Sequence, residues 1–312
     1  MVLLNSPWYD ASVTVLMPAF NAEHTIRESI QSLQNQTVQN WNLLVIDDGS
    51  TDRTEEIVRA LAMEDARIIL MQRDHAGLCA ALNSGLQAAQ NEVVARLDSD
   101  DLWVPEHLER QLAFLSAHHE IPLLGTWGSR INARGERVSR LIVGPSNLDE
   151  YQQQMAEGTP IFLIHSSVVA RRKTLLENGG YRSSDYPAED IHLWTRVAKN
   201  HPVIAIPEDL TWYRLTGGGV SAKSFKLQTL QTERLRYELK TGKSLTLEEF
   251  RCHLEHHPVK RCGFEISLHQ RYWFRKGASY ACNGRRVKGA AYVALSAAMN
   301  PGLVLKRMWF RV

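Results

Sequence analysis

Carboxylates gather at the ends of two apolar runs. Asp47 and Asp48 close Leu43-Leu44-Val45-Ile46, and Asp98, Asp100 and Asp101 close Val93-Val94-Ala95-Arg96-Leu97. Short β-branched runs read as buried strands of a parallel sheet. Ligands of open α/β sheets bind outside the carboxyl ends of such strands. Unpaired carboxylates are costly there, which calls for a cation or a hydrogen-bonding ligand. Hard oxygen ligands of this kind suit Mg²⁺ or Mn²⁺. Asp and Ser also form turns and cap helices, but a turn needs one such residue, and the second cluster has three carboxylates in four positions. A third acidic pair, Glu189-Asp190, opens an apolar-periodic stretch. It serves either proton transfer or the dipole of its helix.

The elements around these residues follow from periodicity. Strands are predicted at 13–17, 42–47, 68–72 and 92–97, with helices at 22–34, about 52–63, 77–89 and 105–117. Pro105 takes the first position of the last helix, and Asp52 with Glu55 resembles a capping box. This alternation predicts a doubly wound α/β sheet. Beyond Leu123 the pattern changes to a hairpin over 128–143, a helix at 147–156, a strand at 161–170, helices at 172–177 and 188–199, and a strand at 203–206. A longer helix at 223–239 leads into a helical tail with breaks near Gly242, Pro258, Gly284 and Pro301.

Other nucleotide devices are missing. There is no Gly-x-Gly-x-x-Gly, and Gly242-Lys243-Ser244 has Tyr237 where a phosphate loop needs its first Gly. An acidic site of this kind can take a nucleoside diphosphate through a divalent cation. Charge is unevenly spread: residues 251–312 hold 12 Lys and Arg against two Glu, while residues 1–250 hold 24 basic and 32 acidic side chains. A basic tail points to an anionic surface. The four cysteines form no Cys-x-x-Cys pair, which fits a reducing, cytoplasmic setting. No signal peptide is read at the amino terminus, and Asn300-Pro301-Gly302 interrupts the longest apolar stretch short of a spanning length.

Four ordered motifs carry a resemblance. Val13 to Asn21 (with Pro18-Ala19-Phe20-Asn21), Val45 to Asp52, Arg96 to Asp101 and Ala188 to Arg196 together resemble the signature of family 2 glycosyltransferases, inverting nucleotide-sugar enzymes with the GT-A fold. The resemblance covers about residues 12–221. It implies a GT-A type doubly wound mixed sheet, with a Rossmann-like nucleotide-sugar half at about 12–125, an acceptor half at about 126–221, and a helical basic C-terminal region at 222–312. Pro18, Ala19 and Asn21 would line the nucleotide pocket, and Asp48 would accept a hydrogen bond from the base, usually uracil. Asp98 and Asp100 form the Asp-x-Asp motif that holds the cation, with Asp98 also at the ribose. Asp101 assists or caps the next helix.

The resemblance makes Asp190 the general base, a role typically worth ~10²–10⁴-fold in rate. Glu189 would hold an acceptor hydroxyl or the loop. Trp194, four residues on, shares a helix face with Asp190 and is either an apolar wall beside the acceptor or core. Gly180 and Tyr181 resemble the turn at the acceptor site, or cap a helix. Tyr213 to Ser221 resembles the loop closing over the diphosphate, with Arg214 pairing phosphate oxygens. Two positions depart from the pattern: Thr216 stands where many relatives have His, and Leu82 where they often have Arg.

The implied partners are a nucleotide-sugar donor, of UDP type, and a glycan or lipid-linked acceptor, as in surface polysaccharide synthesis. Tyr272, Trp273, Phe274, Trp309 and Phe310 lie among the tail's cations, a composition suited to a bilayer interface, to RNA stacking or to ordinary packing. Peripheral attachment to the inner face of the membrane is the favoured reading, with nucleic acid the lesser partner. Cys252, His253, His256, His257 and Cys262 match no standard zinc spacing. A non-catalytic membrane- or RNA-binding protein and a sugar nucleotidyltransferase are the rival readings.

Overall fold

The computed structural model describes residues 13–215, 224–282 and 286–299. They divide into two compact units, one of 13–129 with 141–213, the other of 130–140 with the described residues from 214 onward. The division expected after 221 falls among residues outside the described set, as do Thr216, Trp309 and Phe310.

The strands are β1 (Val13–Ala19), β2 (Trp41–Asp47), β3 (Ile68–Gln72), β4 (Val93–Arg96), β5 (Leu102–Trp103), β6 (Leu123–Ile131), β7 (Arg137–Leu141), β8 (Val169–Arg171) and β9 (Val203–Arg214), of which β7 up to Arg140 and the last two residues of β6 belong to the second unit and the rest, but for Arg214, to the first. The sheet runs β3-β2-β1-β4-β8-β6-β9-β5, and β7 pairs with β6. Strands β1 to β4 are mutually parallel, so their carboxyl ends share one edge. β8 enters antiparallel to β4, with Ala95 opposite Val169. The mixed sheet is therefore the doubly wound α/β arrangement that the alternation predicts. Its helices are α1 (Ile26–Gln34), α2 (Thr54–Glu64), α3 (Leu78–Ala88), α4 (His107–Ala117), α5 (Leu148–Ala156), α6 (Arg172–Glu177) and α7 (Glu189–Ala198).

Side-chain alternation explains the two layers. Val13, Val15 and Met17 of β1 join Leu43 and Val45 of β2 against Ile26, Ile30, Val58 and Leu108. Leu16, Leu44 and Ile46 face the opposite way, onto Leu82, Leu86, Leu193 and Trp194. Successive strand residues point to opposite faces, so an unbroken apolar run marks a strand covered on both sides.

Local departures have local causes. α4 begins at His107 with Glu106 as its N-cap, two residues beyond the expected proline start. The capping box at Asp52 does not form; instead Asp52 Oδ1 accepts from the Thr54 amide (3.0 Å) and Oδ2 from the Glu23 amide (3.1 Å). Of the strand expected over 161–170, Val169–Arg171 is strand, and His165–Ser167 forms a 3₁₀ turn before it. The hairpin strand β6 begins at Leu123, ahead of the expected start.

The second unit holds α8 (Phe225–Thr241), α9 (Leu247–Glu255), α10 (Pro258–Cys282) and α11 (Arg286–Met299). Gly242, at φ +71°, ends α8 in the left-handed conformation that glycine tolerates. Thr246 and Glu249 form a reciprocal capping box on α9. Phe274 is buried, and Trp273 stacks on Tyr292 with ring centroids 5.3 Å apart. Part of the aromatic content of the tail is thus internal packing.

Candidate active site

The carboxyl ends of β1, β2 and β4 bring the first acidic clusters to one edge. Leu16 sits opposite Arg96, and Ala19 opposite Asp47, so the segments that follow them lie side by side. Asn21 adopts φ +52°, and its Oδ1 accepts from the Thr51 amide at 2.8 Å. Asp47 Oδ1 accepts from the Ser50 amide at 3.1 Å. Pro18 and Ala19 are buried at the strand end, while Phe20 beside them is 48% exposed and packs on His75 with centroids 4.4 Å apart.

Asp48 is buried, and its carboxylate organises the loop after β3. Its oxygens accept from the amides of Ala76 (3.1 Å) and Gly77 (2.8 Å), and lie 3.1 Å from Arg73 Nε and 2.9 Å from His75 Nδ1. Asp48 thus holds Arg73 and His75 beside the exposed Phe20. Leu82 is fully buried in the core, and Arg73 is the cation of this corner.

Asp98 is joined by residues that its own motif does not contain. Arg96, almost fully buried, donates to Asp98 Oδ1 and to the Leu16 carbonyl. Ser166 Oγ lies 2.6 Å from Asp98 Oδ2 and also bonds Asp101 Oδ2. Burial pushes the Asp98 carboxyl up, but Arg96, with His165 and Ser166 behind it, outweighs this and holds it below the ordinary carboxylate range. Asp101 is buried on Ser166, with β5 between it and α4, so it does not cap that helix. Asp98 and the half-buried Asp100 are the two carboxylates expected to hold a cation. Among the described residues no group of three His, Cys, Asp or Glu could ligate a metal, the tail cluster at Cys252–Cys262 included. Two carboxylates nevertheless fit Mg²⁺ or Mn²⁺, because such ions keep waters and take further oxygens from substrate phosphates.

Glu189 and Asp190 open α7, and the structure brings them into the field of Asp98. Burial raises the Asp190 carboxyl to about 6, the Ile191 amide opposes, and the charge of Asp98 adds to the rise. Burial and then the charge of Asp190 raise Glu189 to about 8. Glu189 is 4% exposed, and its Oε2 has no hydrogen-bond partner among the described residues. Asp190 Oδ1 accepts from the Ile191 amide at 2.8 Å. Glu189 is buried and Asp190 half-buried, both within the field of Asp98, an environment in which proton-transfer groups are found.

The turn before α7 is locked in place. Gly180 lies at φ +57°, where a Cβ would come within 2.6 Å of Asn83 Oδ1. Arg196 donates to the Gly180 carbonyl and to Asp185, 2.9 Å away. Tyr181 is buried and meets His165 Nε2 through its hydroxyl at 3.2 Å. Burial pushes its phenol well up. Trp194 is fully buried, which makes it core rather than an acceptor wall; it supports Tyr181 edge-on at 6.0 Å. Cys79, also buried, is pushed up to about 12 by burial and is inert as a nucleophile. Arg214 is buried within the second unit, its Nη1 donating to the carbonyls of Asn132 and Ala133, each at 3.3 Å.

Arg73, His75, Arg96, His165 and Ser166 are the site residues that sequence reasoning missed. Arg96 carried a signal, a cation inside an apolar strand, while His165 and Ser166 reach the site through antiparallel pairing alone.

Comparison with known proteins identifies a family and a fold. The sequence model of glycosyl transferase family 2 matches residues 14–180. The Escherichia coli protein named UDP-Glc:alpha-D-GlcNAc-diphosphoundecaprenol beta-1,3-glucosyltransferase WfgD is 31% identical over 220 residues, 70% of this chain and 82% of that protein. EpsE of Bacillus subtilis is 36% identical over 191 residues, 59% of this chain. The chain spans 66% of EpsE, slightly under two thirds of its length. Among solved structures, the mannosyltransferase PcManGT of Pyrobaculum calidifontis, in complex with GDP-Man and Mn²⁺, superposes with a TM-score of 0.58 at 22% identity, over 95% of this chain and 82% of that one. That likeness is one of fold, the GT-A fold. With half of the sequence matched by the family's own pattern and its acidic motifs assembled at one edge of the sheet, the chain belongs to glycosyl transferase family 2.

Proposed function

We propose that the chain transfers a sugar, with inversion, from a nucleoside-diphosphate sugar of UDP type to a hydroxyl of a glycan or lipid-linked acceptor, in the assembly of a bacterial surface polysaccharide. The observation that carries this reading is the family's ordered acidic motifs in one chain, with Asp98 and Asp100 following β4 and Glu189-Asp190 opening α7; the raised pKa of Asp190 is consistent with it. The relative WfgD supports the donor and acceptor classes by its name, a UDP-glucose enzyme acting on a diphosphoundecaprenol-linked sugar.

In this reading Asp190 takes the proton of the acceptor hydroxyl as its oxygen attacks the anomeric carbon. The glycosidic bond forms on the face opposite the breaking bond to the diphosphate. A base near pKa 6 is largely ionised at neutral pH yet basic enough to accept the proton. Glu189 stays protonated beside it, which spares the site a second adjacent negative charge. Asp98 and Asp100 would hold a divalent cation, which supplies charge neutralisation to the leaving diphosphate when bound. Pro18, Ala19 and Asn21 border the nucleoside, and the exposed Phe20 with His75 offers it a ring face.

The tail gives a lipid-linked acceptor its setting. No described helix is long and apolar enough to cross a membrane. The exposed positions of α11 are Val287, Lys288, Ala290, Ala291, Ala294, Leu295 and Ala298, an apolar face with its cation at the start. Val287 is 86% and Leu295 52% exposed. A helix of this kind suits the interface of an anionic bilayer, which supports a reading of peripheral attachment at the cytoplasmic face.

The test is Asp190→Asn assayed against a panel of nucleotide sugars. Wild type is expected to transfer from one of them, and the variant to bind the same donor with transfer reduced ~10²–10⁴-fold. Wild-type turnover by Asp190→Asn would refute the base.

A further inference from the structure

His165 adjoins Ser166, which bonds Asp98, and its ring abuts Trp194 of the helix that carries Asp190. Pairing of β8 with β4 carries the turn His165–Ser167 past the end of β4, where Ser166 reaches Asp98. On its other side the imidazole meets Tyr181 through Nε2, and stands edge-on to Trp194 with centroids 5.9 Å apart. Trp194 lies one turn beyond Asp190 on α7. One neighbour of His165 thus bonds Asp98, and the other lies on the helix that begins with Glu189 and Asp190.

In-line displacement fixes what must lie between them. The diphosphate leaves from one face of the anomeric carbon and the hydroxyl arrives at the other, so the pyranose ring sits between Asp98 and Asp190. Resting on that reading, we propose that His165 binds the transferred sugar, its Nδ1 hydrogen-bonding a hydroxyl of the hexosyl ring of the donor.

The chemistry of the imidazole suits this role. Nδ1 has no hydrogen-bond partner among the described residues, and the side chain is half-buried. Burial, then the charge of Arg96, pushes its pKa down to about 3, against the pull of Asp98. A neutral imidazole offers one N–H and one lone pair, and either can serve a hydroxyl. It adds no positive charge to compete for Asp190 or the phosphates. Tyr181 and Trp194 hold the ring in one orientation, as a specificity contact requires. A site built to bond a substrate hydroxyl discriminates strongly against ligands that lack it.

The experiment measures affinity, in Mn²⁺, for UDP-glucose, UDP-galactose, UDP-N-acetylglucosamine and GDP-mannose, each against its free diphosphate. Wild type, His165→Phe and His165→Asn are compared. Phe keeps a ring without the hydrogen bond, and Asn returns a polar group near the position of Nδ1. The expected result is that Phe loses about tenfold for the preferred nucleotide sugar, the worth of one hydrogen bond. UDP or GDP alone should hold within about twofold, since the lost bond is to the sugar, and Asn should recover most of the loss. UDP affinity doubles as the folding control. Equal losses for sugar and free diphosphate, no loss in Phe, or an Asn variant as weak as Phe would each overturn the assignment. A wild type that binds none of the four donors overturns the donor class of the proposed function, a separate outcome.

Discussion

Asn83 and Tyr181 exchange two hydrogen bonds across 98 residues of sequence: Asn83 Nδ2 donates to the Tyr181 carbonyl at 2.7 Å, and the Tyr181 amide donates to Asn83 Oδ1 at 2.9 Å. Helix α3 thereby fixes the turn that delivers α7, and with it Asp190. Asn83→Ala leaves a buried amide and carbonyl unpaired, at about 1–3 kcal/mol each. The melting temperature should fall by roughly 4 °C or more. Gly180→Ala, strained at φ +57° and pressed on Asn83 Oδ1, should cost less in the Asn83→Ala background than in wild type. Additive losses in that double-mutant cycle would show that the two residues are independent.

The raised carboxyls of α7 set the pH dependence of activity. Asp190 must be ionised to accept a proton, so kcat/KM should rise with pH through an inflection near 6, not near the ordinary Asp value of 3.8. A pH profile of kcat/KM checks this, and an acid limb at ordinary Asp values would contradict the raised pKa of the base.

Glu189 makes an opposite, stability-linked prediction. Its folded pKa of about 8 exceeds its ordinary value of 4.5, so between these pH values the native state holds a proton that the unfolded chain has lost. Stability is greatest below pH 4.5 from this group, and falls as pH rises through about 8. The slope is on the order of 1 kcal/mol per pH unit. Glu189→Gln, neutral throughout, should flatten the curve of denaturant midpoint against pH; an unchanged curve would show that Glu189 ionises freely.

Metal dependence is testable without turnover. UDP with Mn²⁺ should raise the melting temperature of the wild type, and chelation should remove the shift, because only a ligand of the native state stabilises it. Asp100→Ala should weaken Mn²⁺-dependent UDP binding by about tenfold or more, a loss of one charged ligand. Binding of UDP that is indifferent to Mn²⁺ in wild type would remove the cation from the site.

Membrane docking through α11 should depend on both charge and apolar surface. Co-sedimentation with anionic vesicles is expected at low salt and should fall at about 0.5 M salt, where the Debye length drops to a few ångströms. Val287→Glu with Leu295→Glu should abolish it. Equal binding to neutral vesicles, or none to anionic ones, would detach the tail from the bilayer.

The parallel half of the fold was legible because its strands are buried on both faces, and an unbroken run such as Leu43–Ile46 can hardly be anything else. The acidic cluster at Asp98 was legible from its setting, since charge next to an apolar run is expensive and needs a reason, whereas the role of Asp190 came from the family resemblance, a helix start alone allowing a dipole role. Other features depend on what lies across the sheet. The antiparallel entry of β8 decides that His165 and Ser166 meet Asp98, and no local pattern in 161–168 encodes that partner. The loop of Arg73 to Gly77 meets Asp48 only in the folded chain, where the amides of Ala76 and Gly77 donate to its oxygens. Trp194 at helical spacing from Asp190 carried two readings, and only the layer of side chains behind it made it core. Sequence alone determined which groups must be paired or buried, because that cost is paid residue by residue. Tertiary structure decided with whom, because hydrogen bonds and fields act through space between residues far apart in the chain.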